Sequence, residues 1–302
     1  MAINTDALSE QVALISDDII LKVIGGSATA ELLTSTGNVQ SGVKFETAVL
    51  KMDADVVLQD GDTCSRNPLD ETKFDSAKIR VAPIATAENI CPKKFYATYL
   101  QHVVSDGQNN ETIDAELVNK IIGAKVKKIA NKNEKLLWSG DVTLPASNEL
   151  HFIDGIRKQV KAVSGTSITV TGATTLDKLV SAYKQANLDV KHDEDFYIFM
   201  GQDTYDDYYF DLSKLNIVKP VEDFKLYGSG SGKFKIVPGL DRTKEVYLGR
   251  LANLQMGTDG TDDSQKTELV WSVETKSWYL DFAYTIGIKV IYPEEFAYAS
   301  IA

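Results

Sequence analysis

The residues best equipped for chemistry are four carboxylates at helical spacing, Asp203, Asp206, Asp207 and Asp211. Three- and four-residue intervals put such groups on one helix face, where they could hold a hard cation for hydrolysis. The same row describes the wet face of a helix whose Tyr205, Tyr208, Tyr209 and Phe210 pack elsewhere. That plainer reading is the expectation. A second acidic stretch, Asp259-Gly260-Thr261-Asp262-Asp263, has Ser264 where a calcium loop needs glycine. It reads as a solvated turn between strands.

The loop Gly228-Ser229-Gly230-Ser231-Gly232-Lys233 invites comparison with a phosphate cradle. A Walker loop needs glycine five positions before its Gly-Lys pair and Ser or Thr after it; this chain has Tyr227 and Phe234. A dinucleotide fingerprint would need its third glycine at Lys233. A flexible surface loop is expected. No Gly-x-Ser-x-Gly elbow and no His-Glu-x-x-His occurs. Cys64 and Cys91 read as reduced structural thiols, and a link between them has no support. His102, His151 and His192 lie far apart and read as ordinary hydrogen-bonding groups, and Asn110-Glu111-Thr112 carries meaning only in a secreted chain. No catalytic residue, metal or cofactor is expected.

The 302 residues carry 43 acidic against 32 basic side chains, a formal charge of -11. So acidic a chain is poorly suited to gripping nucleic acid by neutralising phosphates. No run approaches the roughly 18 apolar residues of a membrane span. Met1–Asp6 shows no basic stretch before an apolar core, so a soluble intracellular protein is expected.

The positioning elements begin with a helical arm in which Leu8, Val12, Ile15, Ile19 and Val23 recur at helical spacing until Gly25-Gly26. A short stub at 28–34 follows. From 48 to 58, Ala48, Leu50, Met52, Ala54, Val56 and Leu58 alternate with Val49, Lys51, Asp53, Asp55 and Val57, the pattern of a half-buried strand. Ala77, Ile79 and Val81 alternate likewise, and Pro83 marks an edge. A charged loop with Asp60, Arg66 and Asp70 joins the two runs. Strands of about eleven residues make a ribbon about 35 Å long. An isolated ribbon is marginal in water, and no internal partner is evident nearby. It calls for a partner surface.

Pro92 opens a helix with Phe95, Tyr99, Leu100 and Val103 inward. A longer helix is expected over 112–139, with Ile113, Leu117, Ile121, Ile122, Val126, Ile129, Leu136 and Leu137 inward and Gly140 as its stop. Its early Asp114 and Glu116 and its later Lys125, Lys127, Lys128, Lys132 and Lys135 complement the helix dipole. An α+β unit comes next: a strand at 167–170, a helix from Thr175, a buried strand at 196–200, a helix at 203–212, and short strands near 235–238, 245–248 and 251–256. Leu269, Trp271 and Val273 alternate, and every even position from Trp278 to Tyr292 is apolar, which predicts one very long strand.

This order of elements resembles the major capsid proteins of tailed bacteriophages, the Hong Kong 97-type fold. The resemblance rests on the ribbon at 44–87, the helix ending Leu136-Leu137-Trp138-Ser139-Gly140-Asp141, and the tail from Leu251-Ala252-Asn253-Leu254 to Ile291-Tyr292-Pro293-Glu294-Glu295. It implies an α+β shell subunit with an N-terminal arm (1–43), an extended loop (44–91), a peripheral domain with a spine helix (92–162), an axial domain (163–264) and return strands (265–302). Asp53, Asp55, Arg66, Asp70, Lys73, Lys78, Arg80, Tyr227 and Lys233 are the candidate inter-subunit contacts. The implied partners are copies of the chain in hexamers and pentamers, a portal, possible scaffold or decoration proteins, and packaged DNA held non-specifically. The implied location is a virion assembled in the bacterial cytoplasm. The family's Lys–Asn crosslink aligns with no position here, and with no long scaffolding segment expected before the arm, the resemblance implies either a separate scaffold or one already lost. An encapsulin-like compartment is the alternative within the fold. A metal-dependent hydrolase centred on Asp203, Asp206 and Asp207, and a binding module presenting the 228–233 loop, are the rivals outside it.

Overall fold

The computed structural model describes residues 9, 12, 15–60, 70–91, 115–217, 223–259 and 266–301. The expected helix from Pro92, together with Cys64, Arg66, His102, Asn110, Asp262 and Asp263, lies outside them. Helices α1 (Ser16–Gly25) and α2 (Ala28–Ser35) form the N-terminal part. The stripe on α1 is Ile19, Ile20, Val23 and Ile24. Ile15, expected in it, precedes the first turn and is 41% exposed. The Ser27 hydroxyl accepts the Ala30 N–H and caps α2.

The long C-terminal strand, β10 (Ser277–Val290), organises the larger sheet. Trp278, Leu280, Phe282, Tyr284, Ile286, Ile288 and Val290 are all buried, as the alternation requires. On one edge β10 pairs antiparallel with β4 (Ala82–Ile90), from Trp278↔Ile90 to Ile286↔Ala82. On the other it meets β9 (Lys266–Ser272) and then β8 (Leu254–Gly257), and β1 (Val39–Gln40) adds in parallel to β8. Pro83 sits in the outermost strand, where a missing donor costs least. Helix α3 (Ala115–Ser139) shares this sheet's core through Ile122, Ile129, Leu136 and Leu137. Residues 112–114 of the expected helix lie outside the described part.

A second sheet has the order β11 (Ala297–Ser300), β7 (Glu245–Arg250), β5 (Phe196–Met200), β6 (Lys233–Ile236). Helices α5 (Thr175–Gln185) and α7 (Gln202–Lys214) share its core through Leu179, Ala182, Tyr208 and Leu212. The short helices α4 (Ile156–Lys161) and α6 (Leu188–Lys191) lie between these elements. The strand expected at 167–170 is one bridge, Ser167 with Tyr298, because Gly165 and Gly172 turn the chain at positive φ on either side.

The two sheets meet at Trp138, whose ring lies 5.6 Å from Phe199 and 5.7 Å from Tyr247. Its indole N–H donates to the Thr29 hydroxyl at 2.8 Å, and that hydroxyl donates to Glu134 Oε1 at 2.6 Å. Glu134 Oε2 accepts the Thr29 N–H at 2.9 Å. Burial pushes the Glu134 carboxyl up, against hydrogen bonds from Thr29, Ser27 and the Gly239 backbone that favour its charged form. Next to Glu134 in the chain, Asn133 donates to the Val23 carbonyl and accepts the Tyr284 hydroxyl. A polar seam therefore ties α1, α2, α3 and β10 together inside an apolar core.

Candidate functional site

Strands β2 (Glu46–Asp55) and β3 (Glu71–Arg80) form a ribbon that pairs with no other strand among the described residues. Its register runs from Glu46↔Arg80 to Asp55↔Glu71. Residues opposite each other share a face, so Leu50 and Met52 lie on the same face as Ser76 and Phe74. That face is not half-buried as the alternation predicts: Leu50 is 67% and Phe74 66% exposed, and Met52 is also exposed. The alternation is genuine, but among the described residues no second layer covers it.

The opposite face is anchored, contrary to the expectation of no internal partner. At the root, Ile79 is fully buried against Gly257, where any Cβ would lie 2.8 Å from the Ile79 methyl. The Val81 N–H donates to the Phe45 carbonyl at 3.0 Å. Halfway up, the Tyr292 hydroxyl accepts the Met52 N–H and donates to the Met52 carbonyl, each at 3.1 Å. Lys51 next to it pairs with Glu294, which raises the lysine pKa, and lies 4.9 Å from the centre of the Tyr292 ring.

The candidate contacts divide between two places. Asp53 lies opposite Lys73, and Asp55 lies opposite Glu71. Lys73 pairs with Glu71 at 3.2 Å, and Asp70 Oδ1 accepts the Val57 N–H at 2.8 Å, closing the tip. Lys78 pairs with Glu46 at 2.9 Å and holds that carboxyl below the usual range, while Arg80 is exposed at the root. Arg66 lies outside the described residues. Tyr227 lies in the loop before the second sheet's β6, and Lys233 is the first residue of β6. Tyr227 is half-exposed, but the Lys233 ammonium is committed to the Glu194 carbonyl at 2.7 Å. Sequence reasoning missed Tyr292 and Glu294 as ribbon anchors. Tyr292 was read as one more apolar residue in the long strand, and its polar end carries the information.

The residues proposed for chemistry are occupied elsewhere. Lys244 bridges Asp207 at 2.6 Å and Asp203 at 3.1 Å, and Asp206 accepts from Gln202. Asp211 is buried, not on a wet face: it accepts the Thr175 N–H at 2.7 Å and caps α5. Burial opposes its ionisation, but Lys214 and the Thr175 N–H outweigh that and lower its pKa. Among the described residues no group of three His, Cys, Asp or Glu side chains is arranged to hold a metal. Asp259, expected in a solvated turn, is buried with its N–H on the Thr285 hydroxyl. The glycine loop is tied down: Tyr183 meets Ser231 at 2.7 Å, and the Leu226 N–H donates to the Gly232 carbonyl at 2.7 Å. Cys91 is a free thiol, and His151 packs on Phe152 with Nδ1 2.6 Å from the Asn148 carbonyl.

No protein family and no curated protein sequence matches the chain. Solved structures do match its fold. The satellite phage P4 procapsid including the size determination (Sid) protein superposes with a TM-score of 0.58 at 15% identity, over 99% of this chain and 91% of that one. The capsid of the native GTA particle gives 0.55 at 12% identity, over 89% and 96%. The virus-like particle from Pyrococcus furiosus gives 0.53 at 13% identity, over 96% and 98%. The chain has the fold of the subunits that build phage capsids and related particles: a mixed α+β fold of the Hong Kong 97 type.

Proposed function

We propose that this chain is a major capsid protein, which assembles through hexamers and pentamers into an icosahedral phage head around double-stranded DNA. The observation that carries the reading is the ribbon: anchored on one face up to Met52, it holds an apolar face of Leu50, Met52 and Phe74 open to water. A rigid projecting apolar face marks an interaction surface. The capsid-type fold makes another copy its natural cover, since heterologous contacts between unlike patches close into rings. In this reading residues 1–43 are the arm, 92–162 the peripheral domain with α3 as spine, 163–264 the axial domain and 265–302 the return strands. Of the extended loop, 44–91, the projecting part is the ribbon, because β4 is bound to β10. The protein has no enzymatic role. A portal, scaffold or decoration proteins and non-specifically held DNA are its further partners, in a virion assembled in the host cytoplasm. The net charge of -11 suits a container that must not bind the packed polyanion tightly.

Negative-stain microscopy of the purified protein tests this: closed shells or ring-shaped capsomers are expected, and a stable monomer at high concentration contradicts it. A second reading, a compartment around a protein cargo, is favoured by the likeness to the Pyrococcus furiosus virus-like particle. Nuclease-protected DNA inside particles from infected or induced cells supports the first reading, and a co-purifying protein cargo without DNA supports the second.

A further inference from the structure

Among the described residues, strand β4 is bound to a sheet neighbour, β10, along one edge only. The Thr285 carbonyl accepts the Thr258 hydroxyl at 3.0 Å, on the β8 side of β10, and so points away from β4. Thr285 and its partner Pro83 are therefore a pair without ladder bonds, and the alternation of an antiparallel ladder extends this to Ala85, Ala87 and Asn89. The main-chain groups of these residues point outward. All three are exposed, and among the described residues nothing bonds to those groups. Strand β2 occupies the same line one step earlier, where the Val81 N–H donates to the Phe45 carbonyl. Before Phe45 the chain turns away at Gly42, φ 76°, and the Val43 N–H goes to the Thr258 carbonyl instead. The line of β2 is thus left open alongside β4.

Two adjoining cavities border this open edge on the side of α3. One, of about 220 Å³, lies beside Ile84 and Thr86, with Ile129, Leu136, Leu150 and Phe152 as apolar walls. The next, of about 200 Å³, lies beside Thr86 and Glu88, with Ile129, Leu280 and Phe282. They follow β4 at its same-face interval, about 6.6 Å, the interval at which an added strand would send alternate side chains into them. Lys135 borders the first cavity and Lys128 the second. Both are exposed and make no ion pair among the described residues, whereas Lys125 is paired with Glu88 and Lys132 with Glu149.

We propose that the β4 edge is a binding site for an extended segment of a separate polypeptide, which adds to the sheet as a strand beside Ala85–Asn89. Two apolar side chains two residues apart fill the cavities, and a carboxylate beyond each of them meets Lys135 or Lys128. The pattern recognised is acid-x-apolar-x-apolar-x-acid. The main-chain ladder supplies affinity, and the sockets and lysines select the sequence. Among the described residues, the run that alternates apolar with acidic side chains, 48–55, is already paired within the ribbon, so the occupant comes from another protein. A nucleic acid has neither the ladder nor the apolar side chains. The site is complete on a single chain and does not rest on the shell reading.

The probe is a dye-labelled peptide with blocked ends, Glu-Thr-Val-Thr-Val-Thr-Glu, titrated onto the full-length chain. Saturable binding is expected, with amide exchange at Ala85, Ala87 and Asn89 slowed about tenfold or more. Ala87→Pro removes one outward donor and leaves every bond to β10, as Pro83 already does, and is expected to weaken binding about tenfold at an unchanged melting temperature. K128E/K135E is expected to weaken it by about as much, and to accept in its place a peptide with lysine at both ends. No saturable binding at about 1 mM peptide overturns the site. So does binding that leaves the three amides unprotected, or that both variants retain in full. Protection of those amides in the chain alone, rising with its concentration, also overturns it and gives the edge to a second copy. None of these results decides whether the chain forms shells.

Discussion

The Tyr292 hydroxyl satisfies both backbone groups of Met52, accepting the N–H and donating to the carbonyl at 3.1 Å each. A side chain thus does at one point on the edge of β2 what a neighbouring strand would otherwise do. It fixes the ribbon against the body without covering its outer face.

Tyr292→Phe removes this clip and leaves Met52 to water. An exposed hydrogen-bond pair contributes little net, so global stability falls by about 1 kcal/mol or less. The local effect is larger: amide exchange at Met52 and protease cleavage within the ribbon both speed up. Hydrogen exchange resolved to Met52 checks this, and unchanged protection would show that the clip does not hold the ribbon.

Leu50→Ser with Phe74→Ser alters only the outer face of the ribbon. Both side chains are exposed in the single chain, so its melting temperature shifts little. On the proposed reading assembly is lost or needs far more protein, because a second copy would cover the deleted apolar area. Sedimentation at a series of concentrations measures it.

Much of this was legible in the sequence, and the gaps have physical causes. The even positions of β10 fixed its buried face because both their period and their neighbours agree. The same period in β2 gave a strand correctly and a burial state wrongly. Alternation reports which residues share a face, not whether anything covers that face. Glu134 and Asn133 escaped notice because a charged residue inside a lysine-rich helix reads as solvated. Only the fold brings Thr29 and Tyr284 onto them. β11 was missed because Ala297–Ser300 is short and its partner β7 lies about fifty residues earlier. Asp211 looked like the rest of its acidic row until α5 placed its N-terminus against it.

Glu134 and Asp141 give opposite pH dependences. Burial raises the folded-state pKa of Glu134 above its ordinary 4.5, so the folded form binds the proton more tightly than the unfolded chain. Its contribution is therefore greatest at low pH and declines as pH rises from 4.5 through the folded value. Lys158, with Thr143, holds the half-buried Asp141 down at about 2, so its contribution is complete above 3.8 and fades as pH falls from 3.8 towards about 2. Melting temperatures across pH 4.5 and upward are expected to fall less steeply for Glu134→Gln than for the unaltered chain. Parallel curves would show that Glu134 does not titrate in this window.

Gly239→Ala should be among the most damaging single changes. The added Cβ would stand 2.5 Å from the Trp138 ring and 2.7 Å from the Glu134 carbonyl oxygen, with backbone on one side and a packed indole on the other. Overpacking of this kind costs about 1–3 kcal/mol. Denaturant unfolding measures it, and a cost near zero would mean that the junction between the two sheets is looser than drawn.

Electron cryomicroscopy of the purified full-length protein bears most directly on whether the ribbon is a link between copies. The prediction is a closed shell in which residues 46–80 lie across a neighbouring copy, with Leu50, Met52 and Phe74 covered. Isolated subunits at every concentration examined, with those three side chains still facing water, would contradict it.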